Sequence, residues 1–260
     1  MDIILIDFET TSLDTKQARI IEIGAMRVDA KFSEPLASFS ALVHDDSYPA
    51  LTAEITQVTK ITQDLLESEG HQPKAAFLNL AELITKDVAY AVAYNTQFDL
   101  SVFKEEMRRN GLAQQPQMSW LLSVPWLCAL NDIETNYAFK SKRLMHVALE
   151  YGVAVDPKIL HRAIADVELM RQMLVASTTT PEKMLAFQLE PWIYVAAKLE
   201  KPWVDGGKST EFAKTKGYSW ERARGDNSER TFPKQWIKRI KQKSFDDELT
   251  LPFQVERITI

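Results

Sequence analysis

The sequence holds one cysteine, Cys128, in 260 residues. A single thiol excludes an internal disulfide framework and a cysteine-based zinc site, and it fits a reducing compartment. No apolar run approaches the roughly 18 residues of a membrane span. The chain enters a candidate strand at Asp2, which leaves no room for a signal peptide. These readings lead us to expect a cytoplasmic protein. No internal repeat is visible. A general basic excess is missing too: the net charge is −5, which argues against a nucleic-acid coat protein.

The charge is uneven, however. Trp192 to Lys243 carries 13 Lys/Arg against 6 Asp/Glu, a balance of +7 that leaves −12 for the remainder. Such asymmetry is the footprint expected of a segment that meets a polyanion. The rest of the composition, 45% hydrophobic and 26% charged, is that of an ordinary soluble globular chain. The length suits one domain of about 170 to 180 residues and a small second one. The expected division is 1–176, a linker over 177–191, and a basic, tryptophan-rich module over 192–260.

The stretch DIILIDFETT, Asp2 to Thr11, reads as the central strand. Ile3, Ile4, Leu5 and Ile6 form a continuous apolar run, as in a strand buried on both faces. Side chains two apart share a face, so Asp7 and Glu9 aim two carboxylates at one point. Like charges that close repel unless a cation lies between them. The alternative is a strand end turning into solvent, where acids are ordinary.

Further along, Ile20–Asp29 and Phe39–His44 alternate as strands of an antiparallel meander. A helix is expected to begin near the N-cap Thr62, and helical spacing continues over Pro73–Lys86. Val88–Tyr94 reads as a short buried strand, followed by a helix over Phe98–Asn110 with Gly111 as its stop. Trp120–Ile133, interrupted by Pro125, does not separate strand from helix. Helices are expected over Ser141–Tyr151 and Leu160–Leu174. In the last 70 residues we expect strands at Trp192–Leu199 and Pro252–Ile260, a helix at Ser209–Lys216, and short ordered pieces at Tyr218–Arg222 and Trp236–Ile240. Strands followed by alternating strands and helices indicate an α/β layer fold with a mixed central sheet, plus a small α+β module.

Three more polar positions stand out. Asp99 opens a helix directly after a buried strand, where an acid also suits the helix dipole. His161 and Asp166 are five residues apart. On one continuous helix that is about 140° of rotation, so His161 is expected on a lead-in loop with Asp166 in the helix behind it. Taken together, DFET, NTQFD and HRAIAD resemble the three exonuclease motifs of the DnaQ-like 3′→5′ exonucleases of the DEDDh type. Asp7 and Glu9 match the first motif, and Asn95, Phe98 and Asp99 the second. His161 and Asp166 match the third. VTKITQDLL resembles a further family segment but carries Thr59 and Lys60 where histidine and glycine are common.

The resemblance covers about residues 1–176. It implies a ribonuclease H-like fold with a mixed five-stranded sheet flanked by helices. It also implies hydrolysis of phosphodiester bonds at DNA 3′ ends with two Mg²⁺ or Mn²⁺ ions, releasing nucleoside 5′-monophosphates. Asp7, Glu9, Asp99 and Asp166 would be metal ligands, Glu9 would serve the ion that holds the attacking water, and His161 would be the general base. An ordinary imidazole titrates near 6.5, which suits proton abstraction near neutral pH. Phe8, Thr10, Val58, Ile61, Asn95 and Phe98 are the implied substrate contacts, with a core role equally open for Val58 and Ile61. A DEDDh exoribonuclease and a catalytically silent nucleic-acid-binding scaffold are the alternatives.

The tail also resembles a module attached to some bacterial and phage members. Lys198, Lys214, Lys216, Arg222, Arg224, Lys238, Arg239 and Lys241 could meet phosphates, with Trp220 or Trp236 stacking on bases; otherwise this is a solvated face over a tryptophan-rich core. Glu248–Phe253 (ELTLPF) resembles the peptide by which replication proteins dock on a sliding clamp, with Glu248 in place of the usual glutamine. The competing expectation is that Leu251 and Phe253 pack a terminal strand.

Overall fold

The computed structural model describes residues 1–135, 139–156, 161–204, 206–221 and 234–258. They form two compact units, Met1–Gln188 and Leu189–Ile260.

The first unit is built on β1 (Asp2–Thr10), β2 (Ile20–Asp29) and β3 (Ala37–Leu42). Helices α1 (Ala53–Thr59), α2 (Gln63–Glu69) and α3 (Pro73–Leu80) follow. Next come β4 (Val88–Ala93), α4 (Thr96–Arg109), α5 (Pro116–Ser123) and β5 (Trp126–Cys128). Helices α6 (Leu144–Glu150), α7 (Ala163–Ala176) and α8 (Pro181–Leu189) complete it. The five strands order as β3-β2-β1-β4-β5. β1 is antiparallel to β2 and parallel to β4, and β4 is parallel to β5, so the sheet is mixed.

The central strand is buried because its alternation feeds two cores. Ile4, Ile6 and Phe8 face the layer of α3, α4 and α5, with Phe77, Phe103 and Trp126. Ile3 and Leu5 face the layer of α6, α7 and α8, with Val147, Val167, Met173 and Met184. Ile3 to Ile6 are all fully buried; at about 1.5–3 kcal/mol each they contribute roughly 6–12 kcal/mol as an upper bound. That is enough to hold a strand whose far end concentrates negative charge.

Several boundaries follow local chemistry. Thr62 caps α2 by accepting the Leu65 N–H. Lys60 ends α1 at a φ of 62°, the left-handed conformation in which glycine is favoured. Pro125 separates α5 from β5, so the undecided Trp120–Ile133 stretch contains both a helix end and a strand. The Trp126 indole donates to Leu121 O across that break. The stretch expected as a linker over 177–191 holds α8 instead. Met184 is fully buried in the core, and this burial orders the helix and carries the first unit past residue 176. Among the described residues no helix is long and apolar enough to cross a membrane.

The second unit holds β6 (Trp192–Lys198), the hairpin β7 (Trp203–Val204) and β8 (Gly207–Lys208), and α9 (Ser209–Thr215). After these come β9 (Ser219–Glu221), β10 (Gln235–Lys241), α10 (Phe245–Glu248) and β11 (Gln254–Ile258). Its four-stranded antiparallel sheet orders as β11-β6-β10-β9. Ile193, Val195, Ala213, Tyr218, Ile240 and Val255 form its core, and Leu251 and Phe253 pack against them. Phe253 meets Tyr218 edge-on at 5.5 Å. Glu248 is buried, accepts the Tyr218 hydroxyl at 2.8 Å and pairs with Lys238. The clamp-like peptide is therefore largely folded into the module: Glu248, Leu251 and Phe253 already have partners, and of its large apolar residues Leu249 is the one left half exposed.

Of the basic residues proposed for a phosphate platform, Lys198 pairs with Glu256 at 2.5 Å and Lys238 with Glu248. Arg222 and Arg224 lie outside the described residues. Arg239 and Lys241 both lie over the Trp192 ring, at 5.0 and 4.3 Å from its centroid. Trp220 is half exposed and packs on Trp236 at 5.7 Å between ring centroids.

Candidate active site

The odd-numbered residues of β1 continue from Ile3 and Leu5 to Asp7 and Glu9, so both carboxylates emerge on the α7 side of the sheet. Asp166 lies in the first turn of α7. One carboxylate oxygen from each of Asp7, Glu9 and Asp166 falls within 4.8 Å of the others. At that spacing each pair of charges repels by about 3–4 kcal/mol at an effective dielectric near 20. The protein supplies little to relieve it.

Asp99 approaches from α4, whose first turn follows the end of β4. β4 pairs with β1 only as far as Leu5, and beyond that point the Phe8 N–H favours the charged form of Asp99. Asp99 is buried and lies outside the tight trio, yet its charge bears directly on Asp7.

The electrostatics follow from this crowding. Burial, then the charges of Asp99, Glu9, Asp166 and Glu22, push the Asp7 carboxyl well above the usual range. Burial, Asp166 and Glu22 raise Glu9 to about 7 against a partial offset from Arg162. Burial raises Asp99 to about 7 although two backbone N–H groups favour its charged form. Asp166 is also raised, chiefly by burial, with His161 working against the rise. Four carboxyl groups that resist ionisation together are a site whose ionised form wants cations. The carboxylates offer hard oxygens, the donor type that suits hard divalent cations.

His161 stands on the turn before α7, as its spacing from Asp166 requires. It is exposed, its φ is 64°, and its backbone N–H favours the charged form of Asp166. The imidazole is thus at the rim, on a turn tied to the acid cluster.

The implied substrate contacts separate into two groups. Ile61 has no exposed surface and packs with Ile21, Leu42 and Leu66. Phe8 is 5% exposed and stacks on Phe103 at 5.9 Å. Thr10 is buried, and its hydroxyl donates to Ser12 O. Phe8 and Ile61 serve the core, because even-numbered β1 residues face away from the acids and Ile61 closes the β2–β3 layer, while Thr10 is engaged in the turn after β1. Asn95 and Val58 are exposed and Phe98 is half-buried, so their side chains remain accessible.

Sequence reasoning passed over Glu22. It is fully buried on β2, directly opposite Glu9. Its Oε1 accepts from Arg162 Nε and Nη2 at 2.9 and 2.8 Å, and its Oε2 accepts the Ala163 N–H at 3.0 Å. Gly24, opposite Asp7, lets α7 come close: a Cβ there would lie 2.3 Å from the Ala163 carbonyl carbon. The signal available in the sequence was an acid inside the apolar strand IIEIGA.

A family model described as exonuclease matches residues 4–174. The chain belongs to this exonuclease family. The match spans β1 through α7 and so includes every acid of the cluster. The chain is 27% identical over 169 residues to DNA polymerase III subunit epsilon of Treponema pallidum, covering 64% of this chain and 72% of that one. It is 28% identical over 177 residues to the PolC-type DNA polymerase III of Clostridium perfringens, covering 66% of this chain but 11% of that one. Among solved structures, E. coli exonuclease I in complex with a dT13 oligonucleotide superposes with a TM-score of 0.60 at 17% identity. That alignment covers 76% of this chain and 48% of exonuclease I, so the chain spans about half the length of that neighbour. At this identity the likeness is one of fold: the ribonuclease H-like mixed sheet with flanking helices, in a DnaQ-like exonuclease.

Proposed function

We propose that this exonuclease hydrolyses phosphodiester bonds at the 3′ ends of DNA, using two divalent cations, Mg²⁺ or Mn²⁺, and releasing nucleoside 5′-monophosphates. The observation that carries the reading is the convergence of Asp7, Glu9 and Asp166 within 4.8 Å, with Asp99 beside them and His161 at the rim. Asp7, Glu9 and Asp166 would hold the ions, and Asp99 would add a further oxygen. When bound, such ions neutralise charge on a scissile phosphate and make a bound water acidic enough to attack near neutral pH.

The chain's own groups do the rest. Asp7 and Glu9, at the end of a strand whose Ile3 to Ile6 are fully buried, would keep the cation site rigid. His161 accepts the proton of the attacking water, and its exposure leaves it free to meet a bound end. Asn95, Val58 and Phe98 offer accessible polar and apolar surface to the terminal nucleotide. Similarity to a replicative polymerase subunit and to a nuclease solved with an oligonucleotide supports DNA as the substrate. Three of the motif acids in one cluster, with Asp99 beside them and His161 at the rim, count against a silent scaffold.

The test is digestion of end-labelled single-stranded, duplex and mismatched DNA, with RNA alongside, in Mg²⁺, in Mn²⁺ and in EDTA. Asp7→Ala serves as the control. Stepwise loss from a labelled strand's 3′ end, abolished by EDTA and by the substitution, is expected. Degradation confined to RNA would transfer the assignment to an exoribonuclease, and metal-independent cleavage would remove the mechanism.

A further inference from the structure

The proposed general base sits on a turn whose backbone needs external support. His161 adopts a φ of 64°, which residues bearing a Cβ rarely occupy. The next residue, Arg162, is the N-cap of α7 and contributes no side-chain cap. An acceptor for the orphan N–H groups of that helix end must therefore come from elsewhere.

It comes from Glu22, 141 residues away in sequence from the amide it caps. Both of its carboxylate oxygens are used: Oε1 holds the Arg162 guanidinium through two N–H groups, and Oε2 takes the Ala163 N–H. Glu22 is fully buried, whereas the Arg162 side chain is 42% exposed. The pair thus joins a rigid strand to a surface turn. Two guanidinium N–H groups sharing Oε1 make a charge-assisted contact, and the amide on Oε2 adds a second, separate point of attachment to the same carboxylate. Gly24 on the same face of β2 lets the helix seat at that height.

We infer that Glu22, acting through Arg162 and the Ala163 N–H, is a positioning residue that sets the height and orientation of the His161 turn over the acid cluster. This rests on the assignment of His161 as general base. Glu22 needs no contact with substrate. Its effect is to hold the turn that carries the imidazole within reach of the attacking water.

The experiment uses the full chain as Glu22→Ala, Glu22→Gln, Arg162→Gln and the Glu22→Gln/Arg162→Gln double variant. Each is measured for kcat and KM on an end-labelled oligonucleotide, for Mn²⁺ affinity by calorimetry, and for amide hydrogen exchange across residues 161–176. Glu22→Ala is expected to lower kcat about 10²-fold, as displacement of a catalytic group by an ångström can, with KM and Mn²⁺ affinity retained and exchange accelerated at Ala163. Glu22→Gln keeps an acceptor and should recover part of the loss. The double variant should fall no further than the worse single, since the two residues act as one unit.

Wild-type kcat in Glu22→Ala, or a loss that follows Mn²⁺ affinity or the folded fraction, would overturn the inference. If the wild-type enzyme degrades neither DNA nor RNA, the functional reading fails separately. The exchange measurement then decides alone: acceleration confined to residues 161–163 upholds the anchoring role of Glu22, and unchanged exchange removes it.

Discussion

His161 and the carboxylates below it are expected to respond differently to substitution. His161→Ala removes a proton acceptor and no proposed cation ligand, so turnover should fall by about 10²–10⁴-fold while Mn²⁺ affinity measured by calorimetry is retained. The acids carry an opposite liability. Glu9 is raised from 4.5 to about 7 in the folded protein, so between those values the folded state binds more protons than the unfolded one. The contribution is neutral at low pH, where both states are protonated, and unfavourable once both are ionised. Without metal, stability is therefore expected to fall as pH rises through that window. Thermal unfolding in EDTA across it should show the decline in the wild type and a shallower one in Glu9→Gln. Added Mg²⁺ should restore most stability at the alkaline end, where the ionised carboxylates bind it.

The strands and helices that carry these residues owe their placement to ordinary packing. β1 presents its acids because the residues before them are buried on both sides of the sheet, and a period of two then gives Asp7 and Glu9 the α7 face. α7 reaches that face because β2 carries Gly24 where any Cβ would meet the helix backbone. Gly24→Ala should therefore push α7 outward and destabilise the unit by about 1–3 kcal/mol. Urea denaturation would measure the loss, and activity should fall with it as Asp166 and His161 leave the cluster. Many of these elements were legible in advance. Ile20–Asp29 was bounded as observed, Thr62 caps where it was read to cap, and Gly111 follows a helix end with a left-handed φ of 65°. These features depend on neighbouring residues, which a sequence displays directly. Trp120–Ile133 was illegible because its short strand is stabilised by β4 and by the Trp126 indole rather than by its own pattern.

The molecule as a whole divides after Gln188, and the position of the cut has consequences. A fragment ending at Gln188 keeps Met184 and is expected to unfold cooperatively and retain nuclease activity. One ending at Thr180 loses that fully buried side chain along with α8 and should be less stable by about 2–5 kcal/mol, judged by chemical denaturation. The same pair of fragments tests the tail module. A phosphate-binding role predicts that removing residues 189–260 weakens DNA binding and flattens its dependence on salt; equal affinity and slope would leave the module as a solvated tryptophan-rich core. The partnering of Lys198 and Lys238 with acids has already reduced the number of cations such a role could use.

The sequence by itself determined the chemistry available: which acids exist, that two of them share one face of a strand, that a histidine precedes the last acid by five residues, and where some of the helices stop. Each of these depends on identity and short spacing. Only the tertiary structure decided which groups act together. Glu22 caps a helix 141 residues away, Phe8 and Ile61 pack into cores, and Glu248–Phe253 packs onto its own module. Those outcomes are contacts between segments distant in the chain, settled by which surfaces can be buried against one another.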